Sequence, residues 1–320
     1  MVQPALKPNS AVIALGGNAL IRPGEAGTIE RQFEHAAEAM RAVAELARSD
    51  ARLVLTHGNG PIVGNIVLRG EAARETIPPM PLYIAGADSE GGVGLMLMQS
   101  LHNALVSTGV RKPIATLITQ VIVDADDPAF GRPTKPIGPY FDEAVARVRR
   151  DQDGWDLAFV PGRGWRRVVA SPLPRAIVER DTIVTLAEQG HIVIAAGGGG
   201  VPVLKATDGT LSGVEAVIDK DWSAALLAVA LDVEVFAILM ESDSLYQSFG
   251  TPGQRRLESL TATEAAELAH SGLLDAGSIG PKVAAAAYAA EACGCVSILC
   301  ATTELDAALS GSAGTRIVRD

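Results

Sequence analysis

Short apolar runs alternate along the chain with longer amphipathic stretches. Six runs read as strands buried on both faces: 11–15, 53–56, 114–119, 192–196, 235–240 and 296–300. Between them, apolar residues recur at helical spacing over 29–48, 61–77, 89–108, 174–189, 222–231, 262–271 and 279–292. The order is βαβα, which predicts an α/β fold with a mainly parallel sheet and helices on both faces. Residues 121–170 break this rhythm with prolines, charged clusters such as Arg147, Arg149, Arg150, Asp151 and Asp153, and the segment PGRGWRRV at 161–168. Trp155, Phe159 and Trp165 give that stretch apolar anchors, so it reads as a small folded insertion standing off the sheet.

At 320 residues, with 48% hydrophobic and 20% charged residues, the chain has ample material for a core without disulfides or a structural metal. Its 27 basic and 37 acidic residues leave a net charge of −10, which argues against nucleic acid or an anionic membrane as partner. No window reaches the length of a membrane span, and the amino-terminal MVQPALKPNS lacks the apolar region of a signal peptide. Cys293, Cys295 and Cys300 cluster in one apolar stretch, without zinc-ligand spacing and without a distant cysteine to pair with. A reducing, cytoplasmic setting and no protein-held metal are the expectations.

Glycine clusters follow four strand or loop ends: Gly16-Gly17-Asn18, Gly58-Asn59-Gly60, Gly197 to Gly200, and Gly277 to Gly280. In an open α/β sheet, ligands sit beyond the carboxyl ends of the strands, where backbone N–H groups and helix starts can hold phosphate. Asn18 and Asn59 add amide donors where an aspartate would repel a phosphate, although either also suits a tight turn. No GxxxxGK[ST] loop or opening GxGxxG is present. Lys135, Lys220 and Lys282 stand in loop contexts beside glycine, proline or aspartate, and Asp219 precedes Lys220. A cluster of ammonium groups around backbone donors is what phosphoryl transfer requires, since the moving group spreads its charge over three oxygens. Asp219 or Asp221 equally suits the cap of the following helix. His57, with no partner identifiable in the sequence, reads as a loop or packing residue.

The ordered set VIALGGNAL (12–20), THGNGP (56–61), TQVIVDADDPAF (119–130), PTKPIGP (133–139), RRVVASPLP (166–174), GGGGVPV (197–203), VEAVIDKD (214–221) and GSIGPK (277–282) resembles the carbamate kinases of the amino acid kinase superfamily. The resemblance runs from about residue 11 to the carboxyl terminus. It implies a three-layer αβα sandwich, a homodimer, and reversible phosphoryl transfer between ATP and carbamate, giving ADP and carbamoyl phosphate, with Mg²⁺. It further implies one kinase domain over 1–320 in two lobes. Residues 11–120 and 171–190 would hold the small substrate, 121–170 would form a protruding subdomain, and 191–320 would hold the nucleotide.

Carried over by position, Gly16, Gly17, Asn18, Gly58, Asn59 and Gly60 would bind the transferring phosphoryl group and the small substrate, with Asn18 also catalytic. Lys135, Asp219, Lys220 and Lys282 would be the charged catalytic set. Gly197, Gly198, Gly199, Met240, Glu241, Tyr246, Ser278 and Gly280 would join Lys220 and Lys282 on the nucleotide side. Three departures stand out: Ile62 where the family has glutamine, Met240-Glu241 where it has threonine and aspartate, and Leu274-Asp275-Ala276 where it has Phe-Ala-Pro. Altered nucleotide affinity or acceptor choice is the expected consequence. Transfer to another small carboxylate or carbamate, or a nucleotide-binding homologue without turnover, are the alternative readings; Leu15, where acyl amino acid kinases carry a lysine, speaks against that branch.

Overall fold

The chain, in a computed structural model, is described over residues 3–17, 20–22, 24–274 and 279–320. Its centre is an eight-stranded sheet in the order Ser259–Thr261, Thr315–Val318, Val296–Ala301, Val235–Met240, Ser10–Leu15, Arg52–His57, Ile192–Ile194 and Ile114–Thr116. The six strands from Val296–Ala301 onward are parallel; Thr315–Val318 runs antiparallel to Val296–Ala301, and Ser259–Thr261 runs with it.

Side chains alternate across this sheet, and both sets are apolar. Val12, Ala14, Val54, Phe236 and Ile238 enter one core, and Ala11, Ile13, Leu53, Leu55, Ala237 and Leu239 enter the other. A strand apolar on both faces must be covered twice, which gives the three layers. Helices Arg180–Glu188, Lys220–Leu231 and Ile279–Cys293 contribute to the first core, and Ile29–Leu46 and Leu82–Thr108 to the second. Ile279–Cys293 buries Ala285, Ala286, Ala287, Ala289 and Ala290, small residues that let it lie close against its neighbours. Helix Ala262–His270, packed beside it, opens with a capping box between Thr261 and Glu264.

A second sheet, ordered Leu211–Gly213, Val201–Lys205, Gln120–Val123 and Pro174–Ile177, flanks the main one. Beyond it lies a three-stranded antiparallel sheet, Lys135–Phe141, Gly164–Val169 and Leu157–Val160, with helix Glu143–Asp153. Trp155 and Trp165 do provide anchors there, packing at 6.0 and 5.5 Å on Phe141 and Phe159.

Several expected boundaries move. The expected helix over 174–189 is a helix only from Arg180; Pro174–Ile177 is a strand paired with Gln120–Val123, and a proline is tolerated at a strand's first residue. The strand expected over 114–119 ends at Thr116, and a separate strand that was not expected, Gln120–Val123, joins the second sheet. The helix expected from residue 89 begins at Leu82, directly after Pro81, and the one expected over 61–77 ends at Ala72. Strand Ile192–Ile194 stands between Arg52–His57 and Ile114–Thr116, on the amino-terminal side of the sheet. Among the described residues no helix is long and apolar enough to cross a membrane, no group of acidic, histidine or cysteine side chains could hold a metal, and the three cysteines are free thiols.

Candidate active site

Strands Ser10–Leu15 and Val235–Met240 are adjacent and parallel, but the chain leaves them in opposite directions across the sheet. Such a reversal opens a crevice at the carboxyl ends of the strands. A cleft of about 1050 Å³ lies there, bounded by Gly16 and Gly17 on one side and by Met240, Glu241, Tyr246 and Lys282 on the other.

The loops after Ser10–Leu15 and Arg52–His57 touch backbone to backbone. A Cβ on Gly58 would lie 2.7 Å from Gly17 N and Cα, and one on Gly60, whose φ is +49°, would lie 2.5 Å from Gly17 O. Glycine is therefore required by close approach as well as by conformation. Lys220 is drawn into the same corner, its Cδ within 3.4 Å of a Cβ on Gly58.

Helix Lys220–Leu231 starts at this corner, capped by Asp219, whose Oδ1 accepts from Asp221 N at 3.0 Å. The other Asp219 oxygen faces Lys135 Nζ at 3.4 Å, so the three-stranded subdomain delivers its lysine to the start of this helix. Asp221 is 1% exposed and receives both remaining lysines: Lys220 on Oδ1 and Lys282 on Oδ2, the latter at 2.8 Å. Three ammonium groups thus face two carboxylates across two helix starts. Burial opposes ionisation of Asp221, but Lys220 and Lys282 outweigh it and hold the carboxyl below its usual range. Burial also acts against the Lys282 ammonium, which Asp221 and Asp219 more than offset. Lys220, 8% exposed, is pulled down by burial and by the Lys282 charge despite Asp221; an arriving phosphate would favour its charged form.

On the other side of Gly58–Gly60 stands the Gly197–Gly200 turn. A Cβ on Gly198 would collide with the Asn59 amide, and one on Gly197 with His57 Nε2. Gly197, Gly198 and Gly199, expected on the nucleotide side, therefore lie with the Gly58–Gly60 loop, because their strand lies beside Arg52–His57 rather than Val235–Met240. His57 is fully buried, and burial lowers its pKa to about 4; with Nδ1 3.3 Å from Gly58 O, it is a neutral packing residue.

Met240, Glu241 and Tyr246 line the cleft. Met240 ends its strand with the side chain in the core; the Tyr246 hydroxyl donates to Asp243, and its ring packs on Phe249 at 5.9 Å. Gly280 lies in the first turn of the Lys282 helix. Ile62 packs, half-buried, on the second core. Asn18, Ser278 and the departure at Asp275-Ala276 lie outside the described residues.

Two residues escaped the sequence reading. Asp221 entered it only as a cap, although VIDKD holds it beside Lys220. Glu90 was missed altogether; its signal is a carboxylate in register with the buried Ser89, Val93 and Leu97 on helix Leu82–Thr108.

The amino acid kinase family model matches residues 9–301. The carbamate kinase of Thermococcus kodakarensis is 43% identical over 97% of this chain and 99% of its own length. A carbamate kinase-like protein of Escherichia coli K12 is 40% identical over 96% and 98%. The carbamate kinase of Giardia lamblia, solved bound to AMP-PNP, superimposes with a TM-score of 0.92 at 37% identity, all of both chains covered. With the lysine set gathered at the sheet's reversal point, these likenesses establish that the chain belongs to the amino acid kinase family, in its carbamate kinase branch.

Proposed function

We propose that the chain catalyses reversible phosphoryl transfer between ATP and carbamate, giving ADP and carbamoyl phosphate. The observation that carries this reading is the convergence of Lys135, Lys220 and Lys282 on Asp219 and Asp221 beside the Gly16–Gly17 and Gly58–Gly60 loops. The nucleotide lies in the 1050 Å³ cleft along Met240, Glu241, Tyr246 and Lys282. The acceptor lies at Asn59, where Gly197 to Gly199 form the back wall. In lobe terms, 11–120 and 171–190 hold the acceptor, 121–170 carry Lys135 to the centre, and 191–320 hold the nucleotide except for the strand and turn through Gly200.

Catalysis is positioning and charge neutralisation. Lys220 and Lys282, aligned by Asp221, meet phosphate oxygens from the nucleotide side, and Lys135 meets the moving group from the subdomain. Carbamate is already an anion, so no general base is needed. Low exposure of Lys220 and Asp221 strengthens each interaction relative to water. The donor set suits an Mg²⁺ carried by the nucleotide: Asp219 is the carboxylate with an oxygen turned to the centre, and Asp221 is saturated by lysines. When bound, the ion would neutralise charge on the β- and γ-phosphates.

A homodimer is part of the reading, supported by Leu95 and Val106, which helix Leu82–Thr108 leaves more than half exposed. Light scattering should give about twice the chain mass, and a monomer would count against it. Cytoplasmic fermentation of arginine or another nitrogen source, running toward ATP, is the setting that fits three free thiols. The test is ATP formation from ADP, Mg²⁺ and fresh carbamoyl phosphate beside Lys220→Ala. Lysine-dependent ATP supports the reading. Its absence, from protein that binds ADP, would favour another small acid as acceptor.

A further inference from the structure

Glu90 is 2% exposed, and its Oε2 accepts from Thr119 N at 2.8 Å. Thr119, also buried, clamps both ends of one turn: its Oγ1 accepts from Ala196 N at 2.9 Å, and its carbonyl accepts from Val201 N at 2.8 Å. Ala196 is held at φ +51°, a left-handed conformation that costs a residue with a Cβ, and Thr56 Oγ1 donates to its carbonyl at 2.8 Å. The turn that follows presents Gly198 to the Asn59 amide, and Gly197 to His57 and to Glu90 Cγ itself, 3.1 Å from a Cβ there. Ser223, from the helix of Lys220, ties the turn again by donating to Gly199 O at 2.7 Å.

We propose that Glu90 is a positioning residue for phosphoryl transfer: by fixing Thr119 it holds the strained Ala196 turn, and through that turn it sets the Asn59 amide at the acceptor end. It rests on the kinase reading above, and no contact between Glu90 and substrate is involved.

The surroundings keep this carboxyl neutral. The titratable groups near it are His57, itself neutral, and Glu179, which accepts from Gln120 N and Nε2. Burial raises the Glu90 pKa to about 9, with the Thr119 N–H opposing and the Glu179 charge adding. Its second oxygen, Oε1, is buried without a protein partner among the described residues, which a carboxyl tolerates far better as the acid than as the anion.

The experiment compares full-length wild type with Glu90→Gln, Glu90→Ala and Thr119→Val, measuring KM for carbamoyl phosphate, Kd for ADP, and turnover and melting temperature from pH 5 to 10. Glu90→Ala and Thr119→Val should lower kcat/KM for carbamoyl phosphate at least tenfold and leave ADP binding within about twofold. Glu90→Gln keeps the acceptor for Thr119 N–H, so turnover at pH 7 should stay within about threefold of wild type. Its turnover relative to wild type should then rise above pH 9, a ratio in which the lysine titrations common to both proteins cancel. A raised folded pKa means the native state keeps a proton that the unfolded chain has lost. Wild-type stability therefore falls relative to Glu90→Gln as pH rises from about 4.5 to 9. Unchanged carbamoyl phosphate kinetics in Thr119→Val, or a melting-temperature gap between Glu90→Gln and wild type that does not widen with pH, would overturn the proposal, even if Glu90→Ala fails to fold. Wild type without turnover would instead sink the kinase reading, and this proposal with it.

Discussion

Lys282 and Asp221, 61 positions apart in the chain, meet at 2.8 Å where two helices begin. The carboxylate they share with Lys220 is buried, so it fixes the distance between two cations that would otherwise repel each other. Asp221→Asn should leave two ammonium groups facing each other. We expect turnover to fall at least about a hundredfold and stability to drop by about 3–5 kcal/mol, the usual cost of removing one partner from a buried pair. Steady-state kinetics and urea melts read the two effects separately, and a variant with normal turnover would remove Asp221 from the site.

Lys135 comes to the centre from a different sheet and is more than one-third exposed. Lys135→Ala should therefore cut phosphoryl transfer by at least about a hundredfold while leaving the melting temperature nearly unchanged. Near-normal turnover would refute its role.

The subdomain that carries Lys135 is docked by a network in which Asp153 accepts two bonds from Arg74, at 3.0 and 3.1 Å, and one from Arg149, while Glu71 pairs with both arginines. Gly64 and Gly138 let the helix and strand beside it approach within contact. Asp153→Ala should speed proteolytic cleavage within 142–156 and lower turnover without changing ADP affinity. Cleavage at the wild-type rate would show that the network does not hold the subdomain.

His57 sets a pH dependence of stability. Its folded pKa is depressed to about 4, so between 6.5 and 4 the unfolded chain binds a proton that the native state refuses. Native stability falls with pH across that window and is unaffected by this group above it. From pH 6.5 to 5, wild type should lose about 2 kcal/mol more than His57→Gln. Parallel losses in denaturant melts at the two pH values would contradict the assignment.

Ile62 packs on the core rather than standing free in the cleft. Ile62→Gln should cost about 1 kcal/mol of stability. Acceptor choice in that variant, read against a panel of small acids, tests whether this side chain also shapes the acceptor end; an unchanged profile would limit it to packing.

The apolar runs of this chain contained its six parallel core strands, because a strand buried on both faces has no room for polar residues and shows as an unbroken run. They hid the strand Pro174–Ile177 and the early start of helix Leu82–Thr108, where prolines set the boundaries and the periodicity is weak. The three lysines and Asp219 were legible for a related reason: few side-chain types suit a phosphate, and each stood in a glycine- or proline-marked loop. Sequence by itself thus determined the layered architecture, the charged residue types and the family.

Only the tertiary structure decided how those residues divide the work. Strand order set the Gly197–Gly200 turn against Asn59, since neighbours in a parallel sheet need not be neighbours in the chain. It also made Asp221 the hub of two lysines and Glu90 the support of a strained turn. A carboxylate's role depends on what surrounds it. Two lysines hold Asp221 as an anion against its burial, whereas burial with no cation beside it among the described residues keeps Glu90 a neutral acid, and both surroundings are properties of the packed molecule alone.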